Sequence, residues 1–323
     1  MIALWLMIFL IPFQNHPLLS ASIGPKFTPI KALGIIALML AISSLLSPKK
    51  GETKSGILPE GVLFLVFAGS QFLLAAIWYP KVGDDPMRSL FSFVVFLLAV
   101  MGLVKNIADL RMVLWACLIA MAWSSTYMFK EYFTLRHVFN GFRPRGSFGD
   151  SNYYCIAAVV VIPVGMALTA VTKGWRRWVA AALLAAVVGG VMVAQSRGGI
   201  LGVLIVAGLA ALNSKRPILT GIGICLALGI AAPMMPDNFW ERMKKTEIKE
   251  DTKVSGDDLS NKRRIELPRS GVLMWQANPI LGVGPGNYKE NSAVYNPILW
   301  ELNGPGIAHN TFVEIIAEHG IWG

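Results

Sequence analysis

Charged side chains are scarce, at 15% of 323 residues, where an average soluble domain has about 25%. Apolar residues make up 54%, and that imbalance points to lipid as the solvent. Cysteine is nearly absent as well: Cys117, Cys155 and Cys225 all fall within apolar runs, with no CxxC spacing. That excludes a disulfide framework or a thiolate metal site of ordinary spacing. The four histidines show no HExxH pattern, so neither a metal nor another cofactor is expected. The net charge of +10 is spread over many short loops with no basic stripe, which argues against nucleic acid.

Nine apolar runs with almost no charge follow one another: Met1–Phe13, Ile30–Leu46, Val62–Tyr79, Leu90–Val104, Met112–Met128, Tyr153–Thr172, Trp178–Ala194, Ile200–Leu212 and Ile218–Met235. Most approach the roughly 17 to 25 residues that cross a bilayer core as helix, the form in which a span satisfies its own backbone polar groups. The expected fold is therefore an all-α, polytopic transmembrane helix bundle of about nine spans, in a single domain over residues 1–323. Met1–Phe13 lacks the basic leader and cleavage site of a signal peptide and is counted as a span.

Orientation follows from Lys and Arg in short loops. With the amino terminus inside, the inner loops hold Lys49, Lys50, Lys54, Lys105, Arg111, Lys173, Arg176, Arg177, Lys215 and Arg216. The outer loops hold Lys26, Lys81, Arg88, Lys130, Arg136, Arg143, Arg145 and Arg197 over a longer total length. This places two sizeable segments outside, 129–152 and a large, partly helical loop over 236–308. The second opens on a charge-dense stretch, Arg242–Arg264, expected to be mobile or only locally helical. A helix over Ser270–Ala277 and a turn-rich run from Asn278 to Tyr288 follow. At the carboxyl end Thr311 reads as a helix N-cap, with Glu314 as its capping-box partner. A further span is expected to begin there, with the closing spans missing.

The nine runs contain no Asp, Glu or Arg, and their one lysine, Lys31, lies at a span end where it can snorkel. Ion-coupled transporters hold costly ionisable groups at membrane depth, so this pattern disfavours a transporter. The polar groups gather at the outer boundary instead: Arg143, Arg145, Arg197, Arg263, Arg264, Arg269 and His309. The guanidinium fork matches phosphate oxygens, which suits a lipid-linked phosphate, although such an arginine also serves as a headgroup anchor or helix-end cap. His309, just ahead of a helix amino terminus, could accept a hydroxyl proton or simply bond a carbonyl. His319 reads as a helix-face residue. Asp84–Asp85 reads as a turn and Asp257–Asp258 as a solvated loop. The run Gly282–Gly286 contains a proline and follows no strand, so it reads as a rigid turn rather than a phosphate loop.

Four elements in order resemble the O-antigen ligase and polymerase superfamily. Arg143-Pro144-Arg145-Gly146-Ser147-Phe148 through Asn152 resembles its RxxGxF...N element, and Ser196-Arg197-Gly198-Gly199 its SRG element. Arg264 through Pro279-Ile280-Leu281-Gly282-Val283-Gly284 is similar to its arginine, tryptophan and PxxGxG stretch. Ala308-His309-Asn310-Thr311-Phe312 through Glu318-His319-Gly320 is similar to its HNxxL...ExG ending. The resemblance implies a multi-pass bacterial inner-membrane glycosyltransferase, metal-independent and inverting. It would move a glycan from an undecaprenyl-diphosphate carrier to an acceptor hydroxyl of a glycolipid, glycan or protein at the periplasmic face. It further implies catalytic roles for Arg197, Arg264 and His309, and substrate binding by Arg143, Arg145, Arg263, Arg269 and Asn310, among membrane lipids. Which of Arg263, Arg264 and Arg269 matches the family arginine is left open, as is ligase against polymerase. A polysaccharide exporter or flippase is the alternative of another class.

Overall fold

The computed structural model describes residues 1–13, 28–46, 59–78, 84–135, 142–214, 217–218, 221–223, 229 and 256–323. The long regular elements among them are helices: α1 Ile2–Leu10, α2 Pro29–Leu46, α3 Pro59–Trp78, α4 Asp84–Leu103, α5 Ile107–Leu135, α6 Ser151–Val171, α7 Trp175–Val193, α8 Arg197–Leu212, α9 Gly256–Ala277, α10 Tyr288–Tyr295, α11 Ile298–Glu301 and α12 Thr311–His319. Four of them, Gly61–Trp78 of α3 together with α5, α6 and α7, are long and apolar enough to cross a membrane. Eight of the nine expected runs are helical; the ninth, Ile218–Met235, lies almost wholly outside the described residues. Among the described residues the regular structure is all helical, the form that spans a membrane with its backbone groups paired.

Several boundaries move. Asp84 and Asp85 open α4 rather than sit in a turn, and Asp257 and Asp258 lie in the first turn of α9 rather than in a loop. α5 runs 29 residues to Leu135, about 43 Å of helix, so the outer segment expected from Phe129 begins as helix. α9 extends the helix expected over Ser270–Ala277 back to Gly256. α12 is nine residues long and stops at Gly320, φ +62°, with a single 3-10 turn following over Gly320–Trp322.

The chain forms two compact units. In the first, residues 1–53 and 99–248, helices α5, α6 and α7 share a core of Leu118, Met121, Met128, Tyr154, Ala158, Ile162, Val187 and Val191. The buried Tyr154 hydroxyl pairs with Ser125 Oγ at 2.7 Å and donates to the Val187 carbonyl at 3.2 Å, because lipid offers no partner for a polar group. A Cβ at Gly190 would stand 2.0 Å from the same hydroxyl, so α7 approaches α6 at a residue without a side chain. Large apolar side chains such as Ile156, Val160, Trp178 and Leu201 are exposed around this core, as expected of a surface that faces acyl chains.

The second unit, residues 54–98 and 249–323, holds α3, the first part of α4 and helices α9 to α12. Met274, Val283, Tyr288, Ala308 and Ala317 form one core cluster, Leu267, Ala293 and Leu299 another. The loop 278–287 is clasped onto α12. Val283 N–H donates to the Ala317 carbonyl at 2.9 Å, Gly284 N–H to the Glu318 carbonyl at 3.0 Å, and Ile321 N–H to the Pro279 carbonyl at 3.0 Å. Trp78 Nε1 of α3 donates to the Leu281 carbonyl at 3.4 Å.

Candidate functional site

In the first unit, residues 142–152 form a polar turn built from the RxxGxF element. The Glu131 carboxylate of α5 accepts the backbone N–H groups of Arg145 at 2.7 Å and Gly146 at 3.0 Å. Ser147 Oγ pairs with Ser124 Oγ at 2.7 Å, and Ser151 Oγ donates to the Pro144 carbonyl at 2.6 Å. Asp150 caps α6 by accepting from Asn152 N–H at 2.7 Å and Tyr153 N–H at 3.3 Å.

Asn152 Oδ1 joins this turn to the SRG element: it accepts from Arg143 at 3.2 Å and from Ser196 Oγ at 3.0 Å, while Arg143 Nε donates to the Ala194 carbonyl at 3.3 Å. Ser196 in turn caps α8 by accepting from Gly199 N–H at 3.3 Å. The tight turn expected at Ser196–Gly199 therefore lies one step earlier, at Ala194–Ser196, and Arg197 is the first residue of α8, with an exposed side chain. Gln195, at the turn, has φ +51° and a buried Oε1 without a hydrogen-bond partner.

In the second unit the three arginines differ. Arg263 donates to the carbonyls of Leu302, Gly304 and Pro305, bracing the loop ahead of α12. Arg269 pairs with Glu266 at 3.7 Å on the same helix. Arg264 is exposed. His309 is exposed and holds a left-handed backbone, φ +54°. The N-cap of α12 is Asn310, not Thr311: Asn310 Oδ1 accepts from Phe312 N–H at 3.1 Å and Val313 N–H at 3.3 Å. The amide side chain outcompetes the hydroxyl because the chain turns at His309, which leaves residue 310 extended, as a cap must be. His319 is buried, its Nδ1 bonded to the Ile315 carbonyl at 3.0 Å, and burial lowers its pKa.

The Gly282–Gly286 run is a structural clasp. A Cβ at Gly282 would stand 2.3 Å from the Glu318 carbonyl carbon, and one at Gly320 would stand 2.4 Å from the Ile280 oxygen. Two of the recurring elements, PxxGxG and ExG, thus hold each other. Among the described residues no three His, Cys, Asp or Glu side chains gather as metal ligands would. Reading the sequence overlooked the Glu131 carboxylate, because nothing local marks a partner 14 residues away.

The family model described as O-Antigen ligase matches residues 180–323. Residues 180–323, a little under half of the chain, are thus similar to the O-antigen ligase family. The match begins within α7 and takes in three of the four elements, those around Arg197, Arg264 and His309; the Arg143–Asn152 turn precedes it. No curated protein and no solved structure matches the chain. This similarity stands beside four helices, among the described residues, that are long and apolar enough to cross a membrane.

Proposed function

We propose that the protein transfers a glycan from an undecaprenyl-diphosphate carrier to an acceptor hydroxyl, in the manner of an O-antigen ligase, at the periplasmic face of the inner membrane, with segment 236–308 on that face. The O-antigen ligase match over residues 180–323 carries this reading. The acceptor oxygen attacks the anomeric carbon, the bond from that carbon to the diphosphate oxygen breaks, and the acceptor proton passes to His309. Negative charge grows on the departing diphosphate. Arg197 and Arg264 are the candidates to stabilise it, since a fixed guanidinium favours the transition state over the less charged ground state.

His309, exposed ahead of α12, is the candidate base. Arg143, Arg145, Arg263, Arg269 and Asn310 remain candidates for substrate binding, although Arg143, Arg263 and Asn310 also hold their own loops together. Single displacement needs no metal and inverts the sugar carbon. Reconstitution in vesicles with a carrier-linked glycan tests the proposal: a new glycosidic bond of inverted configuration is expected. Relocation of the donor without a new bond would mark an exporter, and a retained linkage would refute single displacement.

A further inference from the structure

The reversal between α6 and α7 takes only Thr172, Lys173 and Gly174, and positive charge crowds around it. Lys173, Arg176 and Arg177 fall within five residues, and all three are exposed. Thr172 Oγ1 and N–H both donate to the Leu168 carbonyl, at 2.7 and 3.0 Å, and Arg177 N–H donates to the Gly174 carbonyl at 3.2 Å. Closing the hairpin thus rests on backbone and hydroxyl groups.

The chain supplies no anion to answer this charge. From Ser151 to Pro236 the sequence has no Asp or Glu, and the described carboxylates of the unit are Asp109, Glu131 and Asp150. Their depth follows from packing. A Cβ at Gly190 would meet Tyr154 and Ser125, whereas one at Gly165 would meet Leu184 and Leu118, so α6 runs antiparallel to α5 and α7. Glu131 and Asp150 therefore lie at the far end of the bundle, where they hold the turn at 142–152. Asp109 lies at the near end, its carboxylate accepting the Lys105 N–H at 3.1 Å, and Arg111 adds another exposed cation there.

Two exposed tryptophans frame the cluster. Trp175 and Trp178 stand one turn apart on α7, 72% and 75% exposed, and the Arg176 guanidinium lies 5.9 Å from the Trp175 ring centroid. Indole rings favour the headgroup depth of a bilayer, and α6 and α7 are each long and apolar enough to cross one. The rings thereby set the cations at the level of lipid phosphates.

We propose that the α6–α7 turn binds the headgroup of an anionic phospholipid, with Arg176 and Arg177 directed to phosphate oxygens and Lys173 beside them. The guanidinium fork matches those oxygens. A zwitterionic headgroup carries its own ammonium, which the cluster repels, so a net negative lipid is selected. The inference is independent of glycan transfer.

The test places the full chain in phosphatidylcholine nanodiscs doped with brominated phosphatidylglycerol or brominated phosphatidylcholine, and reads binding as tryptophan quenching. The anionic lipid should compete about tenfold better, a modest share of what three cations near an anionic surface supply, and about 0.5 M salt should narrow the gap. Replacing Trp175 and Trp178 by Phe should remove most of the lipid-selective quenching, because those two of the ten tryptophans report it. Combined Lys173→Gln, Arg176→Gln and Arg177→Gln should abolish the preference. A charge-matched set at exposed positions elsewhere, Lys130→Gln, Lys262→Gln and Lys289→Gln, should keep it. Equal quenching by the two lipids in the unmodified protein, a measurement that needs no variant, would mark a plain interfacial anchor and overturn the proposal. Equal loss of preference in the charge-matched set would overturn it as well, since net charge rather than this turn would be the cause.

Discussion

Glu318 Oε1 accepts the backbone N–H of Tyr288 at 2.9 Å, and its Oε2 accepts that of Gly286 at the same distance. Burial pushes this carboxyl up from 4.5 to about 7; the two N–H groups pull it down and Glu314 adds to the rise. The folded chain therefore holds the proton more tightly than the unfolded chain, and stability is greatest below about 4.5 and falls as pH rises to about 7, by about 3 kcal/mol at most. Melting of the detergent-solubilised protein across that range should follow this slope, and Glu318→Gln should flatten it. Parallel slopes in the two proteins would refute the assignment.

Glycine substitutions should sort by backbone space. Gly282→Ala and Gly320→Ala each place a Cβ within 2.5 Å of backbone at a positive φ and should cost about 3 kcal/mol or more. Gly198→Ala meets nothing within 4 Å and should gain about 0.5 kcal/mol from helix propensity. Unfolding midpoints check both directions.

The arginines of α9 should separate in the same way. Arg263→Ala strips donors from three carbonyls and should destabilise by about 1 to 3 kcal/mol. Arg269, 64% exposed in its pair with Glu266, should matter by less than about 1 kcal/mol. Arg264→Ala should melt normally and lose transfer. An active Arg264→Ala would remove it from diphosphate binding.

For the histidines, His309→Asn is a cleaner probe than alanine, because asparagine tolerates the left-handed region. It should fold and fail to transfer glycan. His319→Ala, which loses a buried ring and its bond to Ile315, should lower the melting temperature while each folded molecule still turns over. Specific activity per folded protein distinguishes the two.

The helices were legible because a residue in hydrocarbon leaves a compositional mark: the run Tyr153–Thr172 became α6, Ser151–Val171, and Trp178–Ala194 became α7, Trp175–Val193. Caps were less legible. Thr311 and Asn310 are both good N-caps, and only the left-handed turn at His309 chooses between them. The part played by Arg143 was hidden for a similar reason: its partners, Ala194 and Asn152, become neighbours only when α6, α7 and α8 pack.

Apolar run length, the distribution of charge and the order of the four elements were set by the chain itself, since lipid solvation and helix periodicity act on local composition. Which arginine braces a loop and which stays exposed, and where the Glu131 and Glu318 carboxylates are directed, was decided by tertiary structure. Those outcomes depend on donors and acceptors far apart in sequence, and only packing brings them within hydrogen-bond range.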